Sequence, residues 1–279
     1  MKKVVRMLGL CALVALAFTA CKKNDTKSVT FKASMPNVEN STRTHVNGAQ
    51  GAYWLEWNDD DAIKVLNDQG DEMDFTLTTN NGQDAEFQVV GTEGCNFLAN
   101  LETKDYVAFY PYASYTKGNS EVRMSIPAAQ TIVGNFYFAN NLYPMAATND
   151  GINFQFDSNA GFVYFVFTAS EGTPDFYITH VVLTSNTPND LSGDMVYNLD
   201  GSFNRFEGTG NVITASWPVP KLVNQWNAAD LSIILPEGAL NEGFNIKIYN
   251  DDELINEYNA PSNPVVAKTY REFDQMPLR

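Results

Sequence analysis

One cysteine near the N-terminus has the surroundings of a lipidation site. Residues 1–6 carry three positive charges, residues 7–18 are apolar or small, and Cys21 directly follows small residues. A charged region, a short apolar region and small residues before the cut are typical of an export signal. A cysteine at the cut that is followed by polar residues resembles a lipobox. We therefore predict that residues 1–20 are a lipoprotein signal peptide, that the Cys21 thiol is lipidated, and that residues 21–28 tether the protein to a membrane.

Other residues that commonly carry out catalysis are scarce. The only histidines are His45 and His180, and Cys95 is the one cysteine that remains after Cys21 and the signal. A single remaining thiol forms no intramolecular disulfide, and Cys95 is expected to be a small buried hydrophobe. No metalloprotease, serine-hydrolase, P-loop or dinucleotide-binding motif occurs. The sequence therefore predicts no enzyme activity, no cofactor and no metal centre.

Acidic and aromatic clusters are the remaining candidates for binding sites. Oxygen-rich loops bind Ca²⁺, but neither Asp59–Asp61 nor Asp68–Glu72 has the spacing of a calcium-binding loop. Exposed aromatic rings stack on sugars, and Trp54, Trp57 and the tyrosines around Pro111 could form such a platform. The alternative is that these aromatic side chains belong to the core.

The charge of the chain excludes some partners. The 279 residues include 18 Lys and Arg against 33 Asp and Glu. Removal of the signal takes three basic and no acidic residues, which leaves 259 residues with a net charge of −18. Because nucleic-acid binding needs clustered cations, we expect neither nucleic acid nor an anionic membrane surface as a partner.

The pattern of apolar residues predicts strands. Residues 73–78, 176–183 and 244–249 alternate between apolar and polar, as half-buried strands do. Residues 162–167 are apolar throughout and are typical of a central strand that is covered on both faces. The pairs Asn81-Gly82, Asp150-Gly151 and Asp200-Gly201 predict tight turns, because Gly adopts positive φ at little cost.

The length is comfortable for two β-sandwich domains. A boundary at the turn signal of residues 148–151 would give an N-terminal sandwich over residues 29–149 and a C-terminal sandwich over residues 150–279. One short helix is predicted over residues 221–230, where Leu222, Val223 and Trp226 have near-helical spacing. The predicted class is all-β.

Several segments, in order, resemble the fimbrillin-like proteins of Gram-negative anaerobes, which are subunits of type V pili. Thr42-Arg43-Thr44 and the segment Trp57–Val65 resemble the opening of that family, with Asp60 where the family usually has glycine. The resemblance covers nearly the whole chain after the signal. Its other segments are residues 105–112, 126–130, 144–147, 154–162, 178–183 and 191–193.

The resemblance implies two tandem transthyretin-like β-sandwiches with Greek-key connections, exported as a lipoprotein to the outer membrane and assembled into fimbriae on the cell surface. In the family, a protease that cuts after Arg removes an N-terminal strand, and a strand of the next subunit fills the resulting groove. In this sequence the removable strand would be residues 29–33, and the cut would follow Arg43. The donor strand would be the C-terminal segment that contains Val265, Val266, Tyr270 and Phe273.

The implied partners are other fimbrial subunits in a homo- or heteropolymer, the outer membrane through the lipid anchor, and a glycan or protein on a host or bacterial surface. The alternative function is that of a surface glycan-binding lipoprotein. Loss of polysaccharide binding in Trp54→Ala or Tyr112→Ala would favour that alternative. An enzyme such as a glycoside hydrolase would need two carboxylates that flank the bond, and no motif supports such a pair.

Overall fold

A computed structural model describes residues 29–36, 39–40, 55–89, 97, 105–132, 142–273 and 276–278. Its elements are β-strands and one 3-10 helix at Tyr112–Ser114, which confirms the predicted all-β class. Within these ranges, no helix has the length and hydrophobicity needed to cross a membrane.

The strands are numbered in chain order. They are β1 (Val29–Ser34), β2 (Glu39–Asn40), β3 (Ala62–Leu66), β4 (Glu72–Asn81), β5 (Asp84–Val89), β6 (Val107–Tyr110), β7 (Tyr115–Lys117), β8 (Glu121–Ile126), β9 (Ala129–Thr131), β10 (Met145–Asp150), β11 (Asn153–Gln155), β12 (Ala160–Ala169), β13 (Phe176–Ser185), β14 (Ser192–Asn198), β15 (Phe203–Gly210), β16 (Val212–Val223), β17 (Ala229–Pro236), β18 (Phe244–Asn250), β19 (Glu253–Ala260), β20 (Thr269–Glu272) and β21 (Met276–Leu278).

A closed barrel is formed mainly by the first part of the chain. Its strand order is β1-β11-β10-β6-β3-β4-β5, and β5 pairs back with β1. Alternate residues point inward, so Ile63 and Val65 on β3 are buried, as are Ala85 and Phe87 on β5. The interior is therefore a packed apolar core.

Strand β12 lies between two cores. It is the inner strand of the sheet β17-β12-β20-β2, and β21 also pairs with it. Its Val163 and Phe165 pack into the core shared with the sheet β19-β18-β13-β16-β9. Its Phe162 and Tyr164 point the other way and belong to the core of the barrel. This confirms the prediction of a central strand covered on both faces.

A third sheet, β15-β14-β8-β7, completes the structure. Its Met124 and Met195 are buried in the same core as the barrel residues. On its other face, Arg123 of β8 and Arg205 of β15 each pair with Glu121 and Glu207, within their own strand and across the intervening β14. Partly exposed ion pairs of this kind contribute little each, so the apolar face holds this sheet in place.

Strands and turns predicted from local patterns agree with the structure. The alternating segments lie in β4, β13 and β18. The three predicted turns connect β4 to β5, β10 to β11 and β14 to β15. Gly82, Gly151 and Gly201 have φ values of 81°, 64° and 82°, as expected for glycine in tight turns.

The predicted domain boundary at residue 149/150 does not divide the sheets. The Asp150-Gly151 turn joins β10 to β11, and both strands belong to the barrel. Strands β8 and β9 from the first half of the chain pair with β14 and β16 from the second half. The boundary was misplaced because a hairpin turn has the same local signal as a domain junction. The predicted N-terminal sandwich is a closed barrel because β1 pairs on both sides.

The predicted helix over residues 221–230 is wrong. Strand β16 continues to Val223, which pairs with Phe176, and β17 begins at Ala229. Between them, the side-chain carbonyl of Asn224 accepts hydrogen bonds from the backbone N–H groups of Trp226 and Asn227, each at 3.0 Å. Asn favours such turns because its side chain bonds to the backbone shortly after it. The apparent helical spacing came from a strand, a turn and a second strand read in succession.

The C-terminal segment lies against β12 of its own chain. Strands β20 and β21 both pair with β12 in parallel. The approach is closest at Gly161, where an added Cβ would lie 2.4 Å from the Val266 carbonyl oxygen and 2.8 Å from a Val265 methyl group. Only glycine fits at this crossing.

Substitution of Gly161 should test this packing in solution. We expect Gly161→Ala to lower the free energy of unfolding by about 1–3 kcal/mol, because the new methyl group overlaps backbone atoms of the C-terminal segment. The measurement is the midpoint of urea unfolding. Gly118→Ala is the matched control, since its Cβ would approach no atom closer than 3.5 Å. Equal midpoints for the two variants would contradict the observed position of the C-terminal segment.

Candidate strand-acceptor site

Strand β1 closes the barrel by pairing with two neighbours at once. It pairs antiparallel with β5 over six residues, from Val29↔Val89 to Ser34↔Asp84. On its other side it pairs in parallel with β11 over three residues, 32–34 with 153–155. Further backbone bonds extend this side, since the Lys32 N–H donates to the Ile152 carbonyl at 2.9 Å. Without β1, the facing edges of β5 and β11 would both be unpaired.

The inward side of β1 is apolar and fully enclosed. The Phe31 ring is 0% exposed and lies with its centroid 4.7 Å from that of Phe154 and 5.1 Å from that of Phe75. Ala33 and Met35, two and four residues further along, are also buried. The inward positions therefore follow a large, small, large pattern.

The outward side of β1 is polar. Lys32 is exposed and lies opposite Glu86 in the β5 register. The Ser34 hydroxyl donates to the Asp84 carboxylate at 2.6 Å. The outer surface next to β1 is thus acidic on the β5 side.

The gap between β5 and β11 that β1 fills is called the β1 seat. At its end, polar contacts hold the residues that follow β1. The Met35 N–H donates to the Gln83 carbonyl at 2.9 Å, and the Gln155 side-chain amide donates to the Met35 carbonyl at 3.1 Å. The Trp57 indole N–H donates to the same Gln83 carbonyl at 3.0 Å. The backbone from Lys32 to Met35 is therefore paired on both edges of the gap, and residues 29–31 are paired with β5.

Only some of the residues that the sequence predicts to take part in maturation lie within the described ranges. The removable strand predicted at residues 29–33 lies in β1. Cys21 and Arg43 lie outside the described residues, as does Cys95.

The predicted donor residues lie within the fold of their own chain. Val265 is buried, Val266 is 47% exposed, and Tyr270 on β20 pairs with Phe162 of β12. Phe273 stacks on Phe165, with ring centroids 4.9 Å apart. The structure therefore does not place these residues next to the β1 seat.

Among the aromatic residues considered for a sugar platform, Trp57 and Tyr110 are in the core, as the alternative interpretation expected. Trp57 is buried, and its ring contacts Tyr110 edge to face. Tyr112 is 42% exposed, and the Lys64 ammonium lies 4.8 Å above its ring. Trp54 lies outside the described residues.

The acidic turn at Asp59–Asp61 has a structural role. Asp61 is buried, and its two carboxylate oxygens accept bonds from the Tyr110 hydroxyl at 2.9 Å and the Asn58 N–H at 2.7 Å. Burial raises the pKa of the Asp61 carboxyl above its ordinary value, although both hydrogen bonds favour the anion. Across the described ranges, no group of three or more His, Cys, Asp or Glu side chains has a metal-binding arrangement.

His180 has the packed position expected from its strand. Its ring stacks on Tyr249 of the neighbouring strand β18, with ring centroids 4.8 Å apart and the planes nearly parallel. This contact is a structural one between two sheet neighbours.

One exposed aromatic residue was missed by sequence reasoning. Trp226 is 82% exposed at the turn between β16 and β17, whereas the sequence had suggested that it packs on a helix. The signal that could have identified it is the Asn224-Gln225-Trp226-Asn227 run, in which amides flank the ring and Asn favours a turn.

Truncation of Phe31 should reveal how firmly β1 is held. We expect Phe31→Ala to lower the free energy of unfolding by about 3–5 kcal/mol, since it empties a space between Phe75 and Phe154. Lys32→Ala, on the exposed side of the same strand, is the control and should stay within about 0.5 kcal/mol of the wild type. Urea unfolding measures both. A Phe31→Ala protein as stable as its control would show that β1 is not seated in the barrel.

No protein-family model matches this chain, and no curated protein matches it at a significant level. Solved structures do match. A candidate cell adhesion protein from Bacteroides ovatus aligns over 92% of this chain and 95% of its own, with 16% identity and a TM-score of 0.57. A candidate cell adhesion protein from Bacteroides uniformis aligns over 86% and 90%, with 14% identity and a TM-score of 0.47. The tip fimbrial protein Mfa3 from Porphyromonas gingivalis, truncated at its C-terminus, aligns over 91% and 96%, with 8% identity and a TM-score of 0.37.

The first of these likenesses establishes the fold over nearly the whole length of both chains. The other two likenesses have TM-scores below 0.5 and are weaker. The chain thus has the fold of a candidate Bacteroides cell adhesion protein, in agreement with its resemblance to the fimbrillin-like proteins.

Proposed function

We propose that this protein is a cell-surface adhesin associated with fimbriae, that it is exported as a lipoprotein, and that it joins another subunit by strand exchange at the position of β1. The observation that carries the proposal is the two-sided pairing of β1 inside a closed barrel. A strand in this position can be replaced by another strand while the rest of the sheet keeps its register.

The physical basis is β-augmentation. Loss of β1 would leave unpaired N–H and C=O groups on β5 and β11, together with an opening above Phe75 and Phe154. Unpaired strand edges bind extended chains, whose backbone supplies affinity and whose alternate side chains supply specificity. The vacated seat therefore favours an extended peptide over a small molecule.

The geometry of such a contact determines what it builds. The seat for the incoming strand and the strand itself are different surfaces, so the contact is heterologous and does not close on itself. Repeated contacts of this kind produce a fibre. A single contact attaches one subunit to the end of another.

The N-terminal segment links export to assembly in this proposal. Lipid on Cys21 would hold the protein at the outer membrane, and each buried methylene group adds about 0.8 kcal/mol to that attachment. A cut after Arg43 would separate both the anchor and β1 from the rest of the chain. The shared fold of a candidate cell adhesion protein supports a role at the cell surface.

The N-terminus of assembled protein tests this proposal. Surface fibres isolated from cells that express the protein should contain a chain that begins at Thr44, and Arg43→Gln should remain at the membrane, unassembled. Lys27→Gln is the control for loss of a positive charge in the same N-terminal segment and should assemble normally. Mass spectrometry of the N-terminal peptides from the fibres and from the membrane fraction gives the answer. Assembled protein that still begins at Cys21 would rule out maturation at Arg43.

Glycan binding is a second candidate function, and Trp226 is the observation that favours it. Its ring is 82% exposed, and the side-chain carbonyl of Asn224 holds the turn by accepting bonds from the backbone of Trp226 and Asn227. The flanking Gln225 and Asn227 side chains are also exposed. A fixed aromatic face flanked by uncharged amides suits the apolar face and hydroxyl groups of a sugar ring.

Trp226 can be tested directly. In affinity gels with surface polysaccharides, we expect Trp226→Ala to weaken binding about tenfold, which corresponds to about 1.4 kcal/mol. Tyr112→Ala is the matched control, because the Lys64 ammonium already lies over that ring. Unchanged binding in Trp226→Ala, with loss in Tyr112→Ala or Trp54→Ala, would move the sugar site to those residues.

A further inference from the structure

We infer that the strand that replaces β1 comes from a protein other than this one. Residues 265–278 remain part of their own fold and are not donated to a second copy. This inference rests on the proposed strand exchange and concerns the partner in it. It reverses the expectation that the C-terminal segment is the donor.

The seat of β1 sets a requirement on the incoming strand. It accepts a large side chain at the position of Phe31, a small one at Ala33 and a large one at Met35. A small residue fits there because Ala33 is 1% exposed in a packed core, and a larger side chain would overlap its buried neighbours. The strand must also be regular over six residues to match the β5 edge.

The outward positions of the seat add a charge preference. The residue at the Lys32 position lies opposite Glu86, and the residue at the Ser34 position bonds to Asp84. Opposite charges across a strand pair are favourable and like charges are unfavourable. The fitting partner therefore has a basic residue between its large and small apolar residues.

The C-terminal segment does not meet these requirements. Its best match in spacing is Val265, Ala267 and Thr269, which is too small at the first position and puts a hydroxyl in the place of Met35. Lys268, within this stretch, has a left-handed φ of 56°, which interrupts a regular strand. Further along, Pro277 has no N–H to donate to a strand edge.

The same segment fills the core of its own chain. Phe273 lies between two buried rings, with centroids 4.9 Å from Phe165 and 5.0 Å from Phe244. Val265, Met276 and Leu278 are buried in the same core. Departure of this segment would open that core to water without offering a well-matched strand elsewhere.

Backbone contacts hold the segment at several points between Val265 and Phe273. The Gly238 N–H donates to the Val265 carbonyl at 2.9 Å, and the Val265 N–H donates back to the Ala239 carbonyl at 2.9 Å. Lys268 and Phe273 donate to the carbonyls of Ala160 and Tyr164 at 2.8 and 2.9 Å. These bonds span both sides of the irregular stretch, so the segment is integrated in the fold at several points.

Peptide competition distinguishes the two sources of a donor strand. The full chain is cut with an Arg-specific protease, with Arg43→Gln as the uncut control, and is then mixed with fluorescent peptides. One peptide has the sequence of residues 29–36, the second is the same peptide with Ala33→Leu, and the third has the sequence of residues 265–278. Fluorescence anisotropy measures binding, and size-exclusion chromatography measures polymer formation.

We expect the peptide of residues 29–36 to bind, and the Ala33→Leu and 265–278 peptides to bind at least tenfold more weakly. The cut protein should remain monomeric without peptide. Equal binding of the 265–278 peptide, or polymers formed by the cut protein alone, would overturn the inference and leave strand exchange itself intact.

Failure of every peptide would have a different meaning. The measurement is repeated with the Phe31→Ala protein, in which the resident strand is held less tightly, and with wild-type protein in urea below its unfolding midpoint. Circular dichroism verifies that both remain folded. If the 29–36 peptide still does not bind, the proposed strand exchange is wrong. The result would then say nothing about which protein donates a strand.

Discussion

The burial of Phe31 between Phe75 and Phe154 is the interaction on which the N-terminal barrel depends. It fixes which side of β1 faces inward, and through the two-residue period it places Ala33 and Met35 inside as well. Once the inward side is fixed, the register with β5 follows, since a one-residue shift would turn Lys32 into the core. The closure of the barrel is thus a consequence of one aromatic contact and the pairing that it enforces.

The second constraint is the sharing of β12 between two cores. Phe162 and Tyr164 face the barrel, whereas Val163 and Phe165 face the C-terminal core. A strand buried on both faces cannot shift without exposing apolar groups on one of them. The C-terminal segment pairs with this same strand, so it is attached to the most constrained element of the molecule. Strand β1, in contrast, is the first strand of the barrel in chain order, and its buried Phe31 and Ala33 belong to one core.

Local patterns predicted the strands but not their partners. The alternation in residues 176–183 and the apolar run in residues 162–167 identify β13 and β12, since burial on one or both faces leaves a direct mark on the sequence. The pairing of β1 with β11 joins residues more than a hundred positions apart and has no local signal. For the same reason the C-terminal residues had the composition of a strand while their pairing with β12 was not predicted. The exposure of Trp226 was missed because a strand followed by a turn imitates helical spacing.

Under the proposed export and strand exchange, the difference between the two termini has a physical rationale. A barrel with an open edge would expose unpaired backbone and aromatic side chains throughout export, and such edges promote aggregation. A resident strand from the same chain prevents this, because closing the barrel within one molecule needs no encounter with a second. For that strand to be exchanged later, it must be separable without loss of other contacts. Strand β1 comes nearer to this condition, since its removal opens one core, and the cut after Arg43 would otherwise release only the two-residue pairing of β2 with β20. The C-terminal segment does not, since Phe273 and its neighbours complete a core that has no other closure.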